Sequence, residues 1–193
     1  MSSLLFQASI TIFLLLPFST AYLVDIDRDP IINGRDYYIV PLDSLGGLTY
    51  IHKKGFCPLY IAPIKKYDSP VIPVKISSPL KTLHISLDER VSLAFTGNNP
   101  CEESLVWRQT LDPLARKVYI TTGGVEGDRS FSITKKDKSD IPFYELKYWP
   151  SNEEDGNVYV GLYEDDGFLG LTQYPNTTVL FQKAFNDLEL STS

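Results

Sequence analysis

Short apolar and β-branched runs recur along the whole chain, separated by turn-forming residues. Runs such as Tyr37–Val40, Val91–Phe95 and Tyr144–Tyr148 are rich in residues that strands favour. Between such runs lie turn signals, for example Asn98-Asn99-Pro100 and Asp165-Asp166-Gly167. No window keeps a helical apolar period over three turns. The pattern predicts an all-β domain built from about ten or more short strands.

Two details of this pattern bear on the fold. The segment from Leu105 to Ala115 could pass for a weak helix, but Pro113 and the Thr and Asp beside it predict a loop. Many short strands in one domain indicate a sandwich or a closed barrel, and the pattern alone leaves a jelly roll, a lipocalin-like barrel and a trefoil open. The predicted strands are Tyr37–Val40, Leu48–Ile51, Leu59–Ile61, Val71–Ile76, Val91–Phe95, Lys117–Thr121, Ser130–Thr134, Tyr144–Tyr148, Val158–Tyr163 and Val179–Phe181.

The first residues have the character of a secretory signal peptide. Residues 10–18 are apolar apart from Thr11 and Pro17, and Ser19-Thr20-Ala21 supplies the small residues that signal peptidase reads. The apolar run is too short to span a bilayer as a stable helix. We therefore expect residues 1–21 to be removed and residues 22–193 to form a single secreted domain.

Charge and composition exclude several classes of partner. The net charge of −6 argues against a general nucleic-acid or anionic-membrane binder, since both need a basic surface. An apolar fraction of 43%, spread along the chain, argues against disorder. The sequence contains no Gly-rich phosphate loop and no metal-ligand spacing. No nucleophile–base motif surrounds His52 or His84. We expect neither an enzyme nor a bound cofactor.

The only cysteines are Cys57 and Cys101, and the only histidines are His52 and His84. In a secreted chain an isolated cysteine pair predicts one disulfide, and a zinc site would need more ligands. Asn176-Thr177-Thr178 is an N-glycosylation sequon beside a predicted turn. Asn176 is therefore a candidate glycan site on the surface.

Several landmarks appear in an order shared with one known family. An acidic segment, a turn and an aromatic strand occupy Asp25–Pro41, and Cys57-Pro58-Leu59 follows. Ser77-Ser78-Pro79 then precedes a polar loop and an apolar strand. Later matches are Lys117–Gly124, Tyr144–Pro150, Asp165-Asp166-Gly167 and Val179–Ala184. Over essentially the whole mature chain, the sequence resembles the plant Kunitz-type (soybean trypsin inhibitor) family.

The resemblance implies a β-trefoil, a six-stranded barrel capped by three hairpins, and a monomeric inhibitor of a serine protease. Counting from Cys57 without a gap puts the reactive residue at Lys81, with the scissile bond to Thr82. The Asn that braces this loop in the family corresponds to Asn33. A long cation suits trypsin-like enzymes, whose specificity pocket holds a buried carboxylate. The loop flanks are Ser77, Ser78, Pro79, Leu80, Leu83 and His84.

Departures from the family pattern leave alternatives open. Most members carry a second disulfide, which a chain with two cysteines cannot form. Leu80, beside Lys81, would suit a chymotrypsin-like pocket if the loop presented it instead. The family also contains cysteine-protease inhibitors and non-inhibitory storage or binding proteins, and a fold alone does not decide function. The resemblance equally leaves open apoplast or vacuole, and plant defence or control of endogenous proteases.

Overall fold

The computed structural model describes residues 21–44, 46–53, 55–64, 70–137, 140–150 and 158–184. Within these ranges the chain forms twelve strands and no helix. The strands are β1 (Asp36–Pro41), β2 (Leu48–Lys53), β3 (Phe56–Pro63), β4 (Val74–Ser77), β5 (Arg90–Phe95), β6 (Arg108–Asp112), β7 (Lys117–Thr121), β8 (Phe131–Lys135), β9 (Tyr144–Tyr148), β10 (Val158–Leu162), β11 (Leu169–Thr172) and β12 (Val179–Lys183).

Six of the strands close into a barrel. Antiparallel pairing runs in the order β12, β1, β4, β5, β8 and β9. A further pairing of Val179 in β12 with Tyr144 in β9 joins the two ends of this series. Closure removes the free edges through which an open sheet could pair with another chain.

The other six strands form three hairpins, β2–β3, β6–β7 and β10–β11. The hairpins contact one another through β7, which pairs with both β3 and β11. A barrel of six strands with three hairpins is a β-trefoil, so the expected fold is confirmed.

Alternation along the strands builds one continuous core. In β1, Tyr37, Ile39 and Pro41 are buried while the residues between them are only half-buried, as a strand with one face to the core requires. Trp107 is fully buried between the rings of Phe95 and Phe131, at centroid distances of 5.3 and 6.0 Å. Trp107 is therefore a packing residue, consistent with the large area that a buried aromatic removes from water.

Two strands were missed by the sequence pattern, and the predicted bounds of several others differ from the observed ones by up to three residues. The predicted loop Leu105–Ala115 contains β6, which pairs residue by residue with β7, from Arg108–Thr121 to Asp112–Lys117. Pro113 lies in the turn after β6, where its missing N–H breaks no ladder. β11 was also missed, and β4 begins at Val74 rather than Val71.

The predicted signal peptide lies outside the described residues except for Ala21. Ala21 is exposed, and its carbonyl accepts a hydrogen bond from Leu87 N at 2.9 Å. In the described part of the chain, nothing helical is long and apolar enough to cross a membrane.

Candidate functional site

The connection between β4 and β5 is the predicted reactive loop, and it projects from the barrel. Its base is set by the ladder pair Ser77–Ser92, after which the two strands separate. At the tip, Lys81 and Thr82 are exposed, and Leu80 and Leu83 are 54% and 66% exposed. Apolar side chains this exposed are available to a partner.

A turn from the N-terminal segment fits between the two legs of this loop. On one side, Gly34 N donates to Ile76 O at 2.8 Å. On the other, Asn33 N donates to Leu83 O at 2.9 Å and Ile85 N donates to Ile31 O at 3.0 Å. Gly34 has a φ of +81°, a conformation that favours glycine, so the Asn-Gly pair suits this turn. Backbone bonds thus fix Asn33 under the loop.

The half-buried side chain of Asn33 points into the loop and hydrogen-bonds to it on both sides of the Lys81–Thr82 bond. Its Oδ1 accepts from Ser78 N at 2.9 Å. Its Nδ2 donates to Ser78 O at 3.3 Å, to Leu80 O at 3.0 Å and to Thr82 O at 3.2 Å. An amide nitrogen carries only two hydrogens, so one of them is shared. The contacts hold the backbone before and after the predicted scissile bond.

Lys81 itself makes no hydrogen bond or ion pair with any residue that the structure describes. Its flanks are more tightly held. Leu80 N donates to Ser78 Oγ at 3.0 Å, and the His84 ring packs against Tyr22 at 5.4 Å with an edge-on geometry. Pro79 fixes its own φ and biases Ser78 toward an extended backbone. The loop therefore offers a solvated cation on a restrained backbone.

Glu89 is a loop contact that sequence reasoning missed. Its Oε1 accepts a hydrogen bond from Ser78 Oγ, and its Oε2 accepts one from Ser86 N at 2.9 Å. Ser86 and Glu89 have the S-x-x-E spacing at which a carboxylate reaches back to a backbone N–H, and this is the signal that could have found the residue, although one carboxylate in a polar segment is normally a solvated surface group. The contact with Ser78, by contrast, depends on how the loop folds, which the sequence does not reveal.

The predicted disulfide between Cys57 and Cys101 is confirmed and joins β3 to the connection between β5 and β6. His52 lies beside it, with ligand atoms of all three residues within 4.8 Å of one another. A metal would need the sulfurs as thiolates, and both are used in the bridge. The three residues therefore do not form a metal site.

The candidate glycan residue, Asn176, lies apart from the reactive loop on the turn before β12. Its side chain is exposed yet hydrogen-bonded, since Nδ2 donates to Leu162 O at 2.9 Å and Oδ1 accepts from Leu162 N at 3.0 Å. Asn176 thus restrains the end of β10 much as Asn33 restrains the reactive loop.

Comparison with known proteins agrees with this geometry. The sequence pattern of the Kunitz-legume family, described as trypsin and protease inhibitor, matches residues 23–183. "Trypsin inhibitor 2" of Psophocarpus tetragonolobus is 29% identical over 175 residues, covering 84% of this chain and 96% of the relative. A Kunitz-type trypsin inhibitor of Glycine max is 28% identical over 184 residues, covering 87% and 88%.

Among solved structures, a Kunitz type trypsin inhibitor from Cicer arietinum superposes with a TM-score of 0.71 at 25% identity. The match covers 86% of this chain and 99% of that one. The chain therefore belongs to the Kunitz-legume family, described as trypsin and protease inhibitor, and is not an enzyme.

Proposed function

We propose that this protein inhibits a trypsin-like serine protease by presenting Lys81–Thr82 as a substrate-like bond. One observation carries the proposal: the Asn33 side chain hydrogen-bonds to the backbone on both sides of that bond, while the Lys81 side chain stays exposed. The relatives named as trypsin inhibitors support the same target class.

Lys81 supplies the recognition. A Lys or Arg side chain enters the specificity pocket of trypsin-like enzymes and meets a buried carboxylate there. A single such anchor can dominate an interface and cost several kcal/mol when it is truncated. Leu80 and Leu83, both largely exposed, add apolar area on either side of the anchor.

The restraint on the loop explains why binding leads to inhibition rather than to rapid cleavage. A loop already held in one shape loses little conformational entropy when it binds. If the protease cuts the bond, Leu80 and Thr82 both remain hydrogen-bonded to Asn33. The new ends then stay close enough to rejoin, and the enzyme remains occupied.

Titration of trypsin with the purified mature protein tests this proposal. Complete inhibition should need about one inhibitor molecule per trypsin molecule. Lys81→Ala should largely abolish this inhibition, and Lys81→Leu should shift the preference to chymotrypsin. Trypsin inhibition that survives both substitutions would mean that another loop is responsible. Fast cleavage at Lys81–Thr82 without stalling would favour the non-inhibitory binding or storage alternative.

A panel that includes chymotrypsin and a papain-like cysteine protease separates the remaining targets. Wild-type protein that inhibits chymotrypsin better than trypsin would indicate that Leu80 is the presented residue. Inhibition of only the cysteine protease would indicate a different surface loop.

We further propose that the protein is secreted as a monomer after removal of residues 1–21, to the apoplast or the vacuole, and carries a glycan on Asn176. The exposed Asn176 side chain donates one Nδ2 hydrogen to Leu162 O, which leaves the second hydrogen as the one a glycan would replace. The intact mass of the secreted protein, before and after enzymatic deglycosylation, measures both the cleavage position and the glycan.

A further inference from the structure

Glu89 joins the two ends of the reactive loop from the side opposite its tip. One carboxylate oxygen accepts from the Ser78 hydroxyl, which lies before the Lys81–Thr82 bond. The other accepts from the backbone N–H of Ser86, which lies after it, at 2.9 Å. Through a single side chain, the segments on both sides of the scissile bond are tied together at the base of the loop.

We propose that Glu89 is a second positioning residue of this inhibitor, which acts through Ser78 and Ser86 to keep the cleaved ends in place. The inference rests on the proposed function of the loop, and it assigns to Glu89 a role separate from that of Asn33. Hydrogen bonds to a charged carboxylate are shorter and stronger than those between neutral groups. Glu89 is therefore suited to hold chain ends that would otherwise separate.

The contact extends toward the reactive residue. The Ser78 hydroxyl that donates to Glu89 also accepts a hydrogen bond from Leu80 N at 3.0 Å. Donation to a carboxylate polarises the hydroxyl and makes its oxygen a better acceptor for that N–H. Glu89 thus restrains the residue immediately before Lys81 without touching it.

The backbone beside Glu89 is hydrogen-bonded to the barrel. It directly precedes β5, and the preceding residue, Asp88, has a φ of +60° that defines a tight turn. Asp88 N donates to Ile133 O at 3.0 Å, and Asp88 Oδ1 accepts from Thr134 Oγ1 at 2.6 Å, both in β8. Because β8 belongs to the closed barrel, the carboxylate of Glu89 is presented from a fixed backbone.

The restraint by Glu89 matters most after the Lys81–Thr82 bond has been cut. Asn33 holds the residues next to the break from inside the loop, and Glu89 holds Ser78 and Ser86 farther along the two legs. Without Glu89, the two new ends gain more freedom on cleavage. The equilibrium between intact and cleaved inhibitor then moves toward the cleaved form, and inhibition decays with time.

The variant Glu89→Ala tests this, with Asp88→Asn as the matched control. Asp88→Asn removes a neighbouring carboxylate charge, keeps a residue type that tolerates positive φ, and keeps an Oδ1 that can accept the hydrogen bond from Thr134 Oγ1, so the anchor to β8 is retained. Losing a hydrogen bond to a charged group corresponds to about a 10- to 100-fold change in an equilibrium constant. After long incubation with a trace of trypsin, we expect the ratio of cleaved to intact protein to rise about tenfold or more for Glu89→Ala.

The control should leave that ratio within about twofold of wild type, which is the scatter of surface substitutions. An unchanged ratio for folded Glu89→Ala would overturn the proposal. So would an equal rise for Asp88→Asn, because the effect would then come from charge alone.

A double-mutant cycle with Ser78→Ala separates positioning from general destabilisation. If Glu89 acts through the Ser78 hydroxyl, the ratio of cleaved to intact protein in the double variant should be within about twofold of the ratio in the more damaging single variant. Fully multiplicative effects would mean that the two side chains act independently, and the proposed path from Glu89 to Leu80 would be wrong.

Hydrogen exchange of the free protein distinguishes failure of this inference from failure of the proposed function. The Leu80 and Ser86 amides should exchange faster in Glu89→Ala, while the β5 and β8 amides keep their protection. A wild-type protein that fails to inhibit trypsin while this exchange difference persists would refute inhibition and leave the restraint intact. Unchanged exchange at both amides in an inhibitory protein would refute the restraint alone.

Discussion

Replacing Asn33 with Ala should convert a slowly released inhibitor into a weaker and temporary one. The substitution removes one accepted hydrogen bond from Ser78 N and the Nδ2 contacts to Ser78 O, Leu80 O and Thr82 O. Two amide hydrogens supply the three donor contacts, so the loss amounts to three hydrogen bonds. At about 1 kcal/mol each, the upper limit is about 3 kcal/mol, or about 150-fold in an equilibrium constant.

The inhibition constant, Ki, for trypsin measures this loss, because disorder in the free loop must be removed on binding. We expect Ki to rise by about 10- to 150-fold, with faster accumulation of chain cut at Lys81–Thr82. Asn33→Asp keeps the acceptor for Ser78 N but turns an oxygen toward the carbonyls of Leu80 and Thr82, so it should be at least as damaging.

Asn176→Ala is the matched control for this experiment. Asn176 also donates to and accepts from the backbone of one residue, Leu162, at a turn away from the reactive loop. Protein made in a host that does not glycosylate should lose stability in this variant and keep its Ki. A Ki for Asn33→Ala within about threefold of wild type, in a folded protein, would refute the argument that this amide pre-organises the loop.

Two further predictions concern the stability of the fold. The double variant Cys57→Ala, Cys101→Ala should lower the free energy of unfolding by about 4 kcal/mol, as expected for a bridge with a sequence separation of 44, and urea titration measures this loss. A Ki raised more than about tenfold in the folded double variant would contradict the placement of the disulfide outside the reactive site. Burial, and then donation to Asp166, raises the pKa of Tyr119 far above its usual value. An unfolded tyrosine loses its proton near about pH 10 while folded Tyr119 keeps it, so stability should fall as pH rises above that value. Urea titrations at about pH 9 and 11 should show a smaller fall for Tyr119→Phe, and an equal fall would exclude Tyr119 as a source.

The sequence predicted most strands because their periodicity is local. Runs such as Tyr144–Tyr148 carry the alternation themselves, and the structure has β9 at that range. β6 was missed because Arg108–Asp112 has only half-buried and exposed residues, so no apolar pattern marks it. Its strand conformation depends on pairing with β7, a tertiary contact that overrides weak local preference.

Some residues of the candidate site were likewise indicated by the sequence, and others were not. The resemblance pointed to Lys81, Thr82 and Asn33, and the structure brings the Asn33 amide to the loop backbone on both sides of that bond. Glu89 has only a local signal, its three-residue spacing from Ser86, and its other partner, Ser78, comes within reach only when β4 and β5 pair and the loop folds back.

What the chain determined by itself was therefore its β class, its turns, its single possible cysteine pair and a lysine in the segment after Ser-Ser-Pro. Those properties follow from short-range preferences and from residue counts. Closure of the barrel through β9 and β12, and the contacts of the Ser78–Leu80 backbone and the Ser78 hydroxyl with Asn33 and Glu89, were decided only by the tertiary structure. Both require groups far apart in sequence to meet at hydrogen-bonding distance, and local sequence preferences carry no information about such meetings.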